Sequence, residues 1–359
     1  MPGKTEIKGR GARSNATSRF IADKRDAFDD GWTEADDAPA RIDTTLLPEH
    51  ARKIISTNDS PDIGFDRSIN PYKGCEHGCI YCYARPNHAY LGLSPGQDFE
   101  TRIFFKPEAA RLLEAEFSHP RYRPKRIHIG GDTDPYQPAE KALEITRSVL
   151  QVMNRFNHPV SIITKSNLIT RDLDILSGLA ARGLASVCIS ITTLDRKLAR
   201  DMEPRAATPE RRLDAIRKLA SAGVPVMVGF APVIPGLNDH ELEAVLEAAA
   251  GAGATRAMYV TLRLPHEIKN LFREWLADAR PDRAQRVMSL IRQARGGRDY
   301  DAEWGSRMKG KGPLADLFAQ RFAAACRRHR LNLDRPEAEL SLFRVPPRPG
   351  DQLSLFDAA

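Results

Sequence analysis

The chain has 359 residues, 42% of them hydrophobic, enough for one large core with appendages, and it holds no run of eighteen apolar residues to span a membrane. Five cysteines, three of them inside eight residues, are too few and too crowded for a disulfide framework and imply a reducing, cytoplasmic setting. The net charge is +7, and residues 263–348 alone hold 19 Lys plus Arg against 11 Asp plus Glu. Such a stretch suits a polyanion such as nucleic acid, or else forms a solvated helical face in an Arg-rich protein.

Residues 1–60 read as an arm and lead-in. The first 40 are rich in Gly, Arg, Ser and Asp with little periodicity, which predicts a mobile segment. Met1–Arg13 is polar and basic with no apolar stretch behind it, unlike a secretory signal. From residue 61 to 265 short apolar runs alternate with amphipathic stretches of helical length. Strands are expected at 67–70, 126–130, 160–164, 186–192, 224–230 and 257–262. Helices are expected at 139–155, 172–182, 209–222 and 239–250. Thr208 as N-cap, Pro209 at the first helical position and Gly223 after the end give one helix clear start and stop signals. Six strands with intervening helices predict an α/β fold, a partial (β/α)6 TIM-like barrel, with its chemistry on the loops after the strands. Residues 266–344 read as a basic helical accessory region with helices at 267–279, 283–294 and 314–328. Residues 345–359 read as a flexible tail.

Straight after the first barrel strand comes Pro71-Tyr-Lys-Gly-Cys75-Glu-His-Gly-Cys79-Ile-Tyr-Cys82-Tyr83. Three thiolates at CxxxCxxC spacing suit three irons of a cubane 4Fe–4S cluster and leave the fourth iron open. That vacancy suits S-adenosylmethionine, which chelates iron through its amino and carboxylate groups and yields a 5′-deoxyadenosyl radical on reduction. The alternative is a zinc site completed by His77 or His88, although no second CxxC pair is present. Cys188 and Cys326 stand alone in apolar surroundings and are expected to pack as core.

With its CxxxCxxC loop and an aromatic, Tyr81, before the last cysteine, the sequence resembles the radical S-adenosylmethionine superfamily, and within it the spore photoproduct lyase group. The resemblance implies that Cys75, Cys79 and Cys82 hold the cluster. It implies that Gly130, Gly131 and Asp132 form the turn at the methionyl amino group, and that Lys165 and Ser190 meet the cofactor carboxylate. Ile234, within Gly229-Phe-Ala-Pro-Val-Ile234-Pro-Gly236, falls beside the adenine by the same resemblance. It also implies an electron donor such as flavodoxin or ferredoxin. Tyr83 matches a tyrosine of the lyase's hydrogen-atom relay. The lyase has a cysteine donor after its second strand, where this chain reads Gly130-Gly131-Asp132-Thr133-Asp134-Pro135-Tyr136, so Tyr83, Tyr136 or a different reaction must stand in. On their residue types alone, Lys165 also reads as a surface lysine, and Asp132 and Asp134 as ligands of cofactor or substrate or as caps of the next helix.

Near the end, Gln352-Leu353-Ser354-Leu355-Phe356 resembles the QLxLF motif by which bacterial repair proteins bind the replication sliding clamp. Leu355 and Phe356 suit an apolar pocket and Gln352 its polar edge; the alternative is a tail packed back on its own barrel. A similar Glu339-Leu-Ser-Leu-Phe343 lacks the Gln and reads as part of a helix. Together these features point to a radical enzyme acting on DNA. The alternatives are one acting on RNA or protein, and a non-catalytic clamp-binding adaptor with a structural metal.

Overall fold

A computed structural model describes residues 9–21, 42–334 and 338–347. Ten strands occur among them: β1 (Thr45–Pro48), β2 (Ile55–Thr57), β3 (Arg67–Ile69), β4 (Tyr72–Lys73), β5 (Arg102–Phe105), β6 (Ile127–Ile129), β7 (Val160–Thr164), β8 (Ala185–Ser190), β9 (Val226–Val233) and β10 (Arg256–Thr261). The main sheet runs β10-β9-β8-β7-β6-β3-β2, with all neighbours parallel except the antiparallel edge strand β2. All six strands expected of the barrel are there, in order, and the sheet stays open between β10 and β2. A small sheet, β1-β5-β4, lies beside it, and β4 leads directly into the cysteine loop.

The helices are α1 (Asp98–Thr101), α2 (Ala109–Phe117), α3 (Glu140–Leu143), α4 (Ile145–Arg155), α5 (Leu173–Ala181), α6 (Arg196–Met202), α7 (Pro209–Ser221), α8 (Leu242–Gly251), α9 (Ile268–Ala279), α10 (Ala284–Gln293) and α11 (Pro313–Arg328). The strands alternate as the pleat requires. Ile127, Ile129, Ile162, Val187, Ile189, Val226 and Val228 point outward and pack under α4, α5, α7 and α8, against residues such as Leu150, Leu176, Ile216 and Leu246. Each such side chain, fully buried, contributes about 1.5–3 kcal/mol. The alternate residues, among them His128, Ser161 and Met258, face the half-open interior.

Several expectations fail for local reasons. The helix expected at 139–155 breaks at Glu144, whose φ is 48°, into α3 and α4. The buried Glu140 carboxylate causes the break. It accepts the amides of Thr146 (2.9 Å) and Arg147 (3.3 Å), so it caps a new helix start, and it also holds Arg171 at 2.7 Å and the Tyr72 hydroxyl. Residues 9–21 do not form a loose arm: Arg10, Ala12 and Ser18 are buried against the cysteine loop and its neighbours. The accessory helices are continuous with the barrel. α9 and α10 share an apolar core with Cys79, Ile80 and Tyr81, while Phe318, Ala325 and Cys326 of α11 join the main core. Residues 339–343 are not helical. Phe343 inserts among Phe117, Tyr122, Phe156 and His158, with centroids 5.6–6.3 Å away, and the Arg344 amide donates to Phe156 O.

Three imidazoles are held neutral inside this fold. His158 has only a carbonyl, Pro159 O, at Nδ1 (3.0 Å), so Nδ1 carries the proton and Nε2 accepts from the Tyr122 hydroxyl (2.8 Å). Burial lowers His158 to about 3, His128 to about 4 and His88 to about 4. Because the folded values lie below the unfolded value near 6.5, stability is full above that pH. It is lost as pH falls towards the folded values, by up to about 1.4 kcal/mol per unit and per residue. The urea midpoint should therefore fall between pH 7 and pH 5, and less so in a His158→Gln variant, which cannot charge.

Candidate active site

The loop after β4 turns back on itself at the carboxyl ends of the strands. Backbone bonds pin it at intervals: Cys75 N to Phe99 O (2.9 Å), Ile80 N to Met202 O (3.0 Å) and Cys82 N to Cys79 O (3.1 Å). Beneath it lies Arg85, wholly buried. Its guanidinium donates to Cys79 O (2.9 Å), Gly78 O (3.0 Å), Pro95 O (3.1 Å), Gly96 O (2.9 Å) and Glu100 Oε1 (2.5 Å). Glu100 in turn accepts the amides of Gly11 and Ala12, both at 2.8 Å. Contact here is so close that a Cβ on Gly11 would lie 1.8 Å from Gly78 O, and one on Gly78, at φ 67°, would lie 2.7 Å from Glu100 Oε2. Only glycine fits at either position.

Cys75 and Cys79 are buried and Cys82 nearly so, all three on one loop. Burial pushes the Cys79 thiol up to about 12 and Cys75 well above its ordinary value, where Asp134 and the neighbouring sulfurs add to the effect. Burial raises Cys82 as well. Such thiols become thiolates only against positive charge, and the irons of a cluster bring it. The donor set therefore fits a cluster held by three thiolates. It fits mononuclear zinc poorly. His88 Nε2 donates to Arg102 O (3.0 Å), His77 Nδ1 faces Asp134 Oδ2 at 3.2 Å, and no three His, Cys, Asp or Glu among the described residues converge on one ion.

Around the thiols stand most of the other expected residues. Tyr81 donates to Glu203, with Thr192 Oγ1 at 3.1 Å. Glu203 pairs with the buried Arg212, whose Nη1 reaches Ser190 O at 3.1 Å. Ser190 closes β8, 2% exposed, and Ile234 packs in the same core as Cys79, Ile80 and Tyr81. Lys165 follows β7 and is half-buried, with its ammonium 5.8 Å from the Tyr81 ring centroid. Burial lowers its pKa, but the nearby Cys79 and Glu203 outweigh this, and the net shift is upward. Gly130 and Gly131 follow β6, and Gly131 O accepts the Tyr83 hydroxyl. Asp132 accepts from Asn87 Nδ2 at 2.5 Å.

Other expected residues have different duties. Tyr136 does not face the site: it is wholly buried in the helix layer, donating to Asp172 Oδ2 at 3.0 Å. Asp134 is fully engaged by Thr164 Oγ1 (2.6 Å), Lys165 N (2.8 Å) and Tyr136 N (2.9 Å). Burial alone would raise it, yet His77 and these donors bring it to about 2. In the basic stretch Arg295 is 3% exposed and donates to the carbonyls of Leu262, Ser306 and Arg307. Arg307 is paired with Asp62 at 2.6 Å, and Lys311 with Asp301 at 3.2 Å. The basic sequence makes Arg295, Arg298, Lys309 and Lys311 the candidates for phosphate contact, yet Arg295 is structural and Lys311 lies beside carboxylates. Arg298 and Lys309 remain exposed.

Sequence reading missed Arg85, Glu100, Glu203 and Arg212. Arg212 had a signal: with Ala215, Ile216 and Leu219 it falls on the buried stripe of α7. Breaking a buried pair from one side strands the other charge. Arg85→Met should cost about 3–5 kcal/mol in urea unfolding and lower iron uptake on reconstitution. Arg85→Met with Glu100→Leu should cost less than the two single changes summed.

Comparison with known proteins identifies the fold and family. The Radical SAM superfamily model matches residues 69–249. An uncharacterised protein of Mycobacterium tuberculosis is 36% identical over 231 residues, covering 64% of this chain and 68% of that protein. One of Methanocaldococcus jannaschii is 28% identical over 196 residues, covering 55% and 70%. A solved structure of spore photoproduct lyase complexed with dinucleoside spore photoproduct superposes with a TM-score of 0.58 at 15% identity, covering 79% of each chain. That likeness is one of fold. Members of the matched family use a 4Fe–4S cluster and S-adenosylmethionine, which removes the non-catalytic adaptor from consideration. The chain belongs to the radical SAM superfamily and is a radical SAM enzyme.

Proposed function

We propose that this enzyme acts on nucleic acid, and on DNA in particular, repairing or modifying a base from within the half-open barrel. Cys75, Cys79 and Cys82 hold the cluster, and when bound it supplies the electron that cleaves S-adenosylmethionine to a 5′-deoxyadenosyl radical. The cofactor lies among Tyr81, Gly130, Gly131, Asp132, Lys165, Ser190 and Ile234. Lys165 suits its carboxylate: the ammonium stays charged because Cys79 and Glu203 surround it. A flavodoxin- or ferredoxin-class donor in a reducing cytoplasm provides the electron. Among the described residues no helix is long and apolar enough to cross a membrane.

The observation that carries the substrate reading is the lining of the barrel mouth. Tyr83 is 47% exposed directly beside Cys82. Its hydroxyl reaches Gly131 O, and the Arg263 guanidinium lies over its ring at 5.2 Å. Across Gly131, Phe65 stacks on His128 with centroids 4.1 Å apart. Aromatic rings with a cation beside them suit an unstacked base and its phosphates. With Tyr136 inside the helix layer, Tyr83 is the phenol left to exchange a hydrogen atom with substrate.

The proposed sliding-clamp motif, Gln352, Leu353, Leu355 and Phe356, lies outside the described residues. Its upstream copy is engaged by the fold through Phe343. Cys79→Ala should abolish visible cluster absorbance and reductive cofactor cleavage; a full iron complement in that variant would refute the ligand set. Anaerobic assays should show 5′-deoxyadenosine formation stimulated by irradiated DNA, and equal or greater stimulation by RNA or protein would move the substrate elsewhere. Leu355→Ala with Phe356→Ala should abolish clamp binding in calorimetry. Leu342→Ala with Phe343→Ala should leave clamp affinity unchanged and lower the melting temperature, because it empties the aromatic pocket.

A further inference from the structure

Of four arginines near the site, three are buried and Arg263 is half-buried. Arg85 makes five hydrogen bonds, Arg295 donates to four carbonyls and a threonine hydroxyl, and Arg212 binds two carbonyls and Glu203. Arg263, on the loop after β10, has no comparable set of partners. Among the described residues its Nη1 approaches only the Met308 thioether at 3.6 Å, a weak acceptor, and its buried Nε has no hydrogen-bond partner. A buried donor left unpaired is costly, so natural folds leave few.

Its placement accounts for the exception. Loop 58–66 and loop 301–309 meet across the open side of the sheet. Asp62 accepts from Gly305 N (2.7 Å) and Arg307 Nε (2.6 Å), and Ser60 from Arg307 (2.5 Å). This clasp neutralises Arg307 and leaves Arg263 on the inner side, stacked on the exposed Tyr83. The guanidinium lies 5.2 Å from the ring centroid, and a planar fork with so few protein partners suits a two-point acceptor such as a phosphate.

We propose that Arg263 is the phosphate-binding residue of the substrate site, gripping one phosphodiester of a nucleic-acid strand and setting the adjoining nucleotide against Tyr83. The assignment rests on the nucleic-acid reading above. With the seam clasped, the mouth takes a nucleotide from one strand, as enzymes that act on bases do. The exposed Arg327 and Arg328 belong elsewhere. Asn332, just beyond α11, bonds Thr255 and Ala257 at the start of β10, whereas Arg263 follows its end, so that pair lies towards the amino end of the strands, away from Arg263.

Fluorescence anisotropy of a labelled single-stranded oligodeoxynucleotide on the reconstituted enzyme, over a salt series, tests this. Arg263→Gln should weaken binding and flatten the log–log salt slope by roughly 0.7, one phosphate contact on a single strand. Arg263→Lys should keep the slope but lose about tenfold in affinity, because an ammonium lacks the fork. Arg327→Gln with Arg328→Gln should leave the slope unchanged. Equal melting temperatures and iron content certify the folds. A wild-type slope in Arg263→Gln, or flattening by the Arg327 and Arg328 pair instead, overturns the assignment while the nucleic-acid reading stands. Wild-type enzyme that binds neither this strand nor its RNA counterpart overturns that reading first, and the assignment with it.

Discussion

The buried ion pair of Arg85 and Glu100 is the constraint on which the rest of the molecule depends. Two charges in an interior are costly unless each is hydrogen-bonded throughout, and here each is. Arg85 fastens the carbonyls of Gly78 and Cys79, the centre of the cysteine loop, to those of Pro95 and Gly96. Glu100 answers with Gly11 and Ala12, and its own carbonyl holds Arg10 at 2.7 Å. A loop carrying three thiols that must point one way is thereby fixed from behind, independent of anything they bind. The strap held by Glu100 continues to α9, where Ser14 bonds Glu274 (2.7 Å), Arg13 pairs with Asp278 (2.9 Å) and Arg19 with Glu267 (2.9 Å). One buried carboxylate thus joins the first residues of the chain, the cysteine loop and the accessory helices.

On the other side of the loop a second network performs the matching task. Tyr81, Glu203, Arg212 and the Ser190 carbonyl run from the cysteines to the end of β8, while His77, Asp134 and Lys165 run to the end of β7. Lys165 is presented by this second line: Asp134 takes its backbone amide, and the ammonium is left to face the space beside Tyr81. Asp134 acts as a positioning residue, which its sequence neighbourhood alone did not distinguish from a ligand.

What was legible in the sequence follows from how local the signals are. Each barrel strand is a short apolar run between helical stretches, and each was read from its neighbours alone. So was α7, with cap, proline and glycine within a few residues. The break at Glu144 was not legible, because it depends on Glu140 finding Tyr72 and Arg171 some distance away in sequence. The strap at residues 9–21 has the composition of a disordered arm. It packs because Gly11 has no side chain and because Glu100, nearly ninety positions later, awaits two amides. The CxxxCxxC loop was legible because metal-ligand spacing is itself a local property, whereas its supports, Arg85 apart, are scattered through the chain.

Charge shows the same divide more sharply, and it bears on substrate. A basic excess counted along 263–348 says that cations are present, not which of them water can reach. Arg295 is inside, Arg307 and Lys311 sit beside carboxylates, and Arg327 and Arg328 lie towards the amino end of the strands. Arg263 lies over the exposed Tyr83 at the mouth, whereas Lys309 has its ammonium 5.3 Å over the buried Tyr259. An extended basic face would grip a polyanion anywhere along its length, with little regard to register. On the proposed nucleic-acid substrate, one cation beside an exposed tyrosine at the carboxyl ends of the strands would select a position on the strand instead. The surface that attracts and the residues that align are therefore separate features, and under the proposed function only the second governs which atom of a bound nucleotide meets the chemistry at Cys75–Cys82.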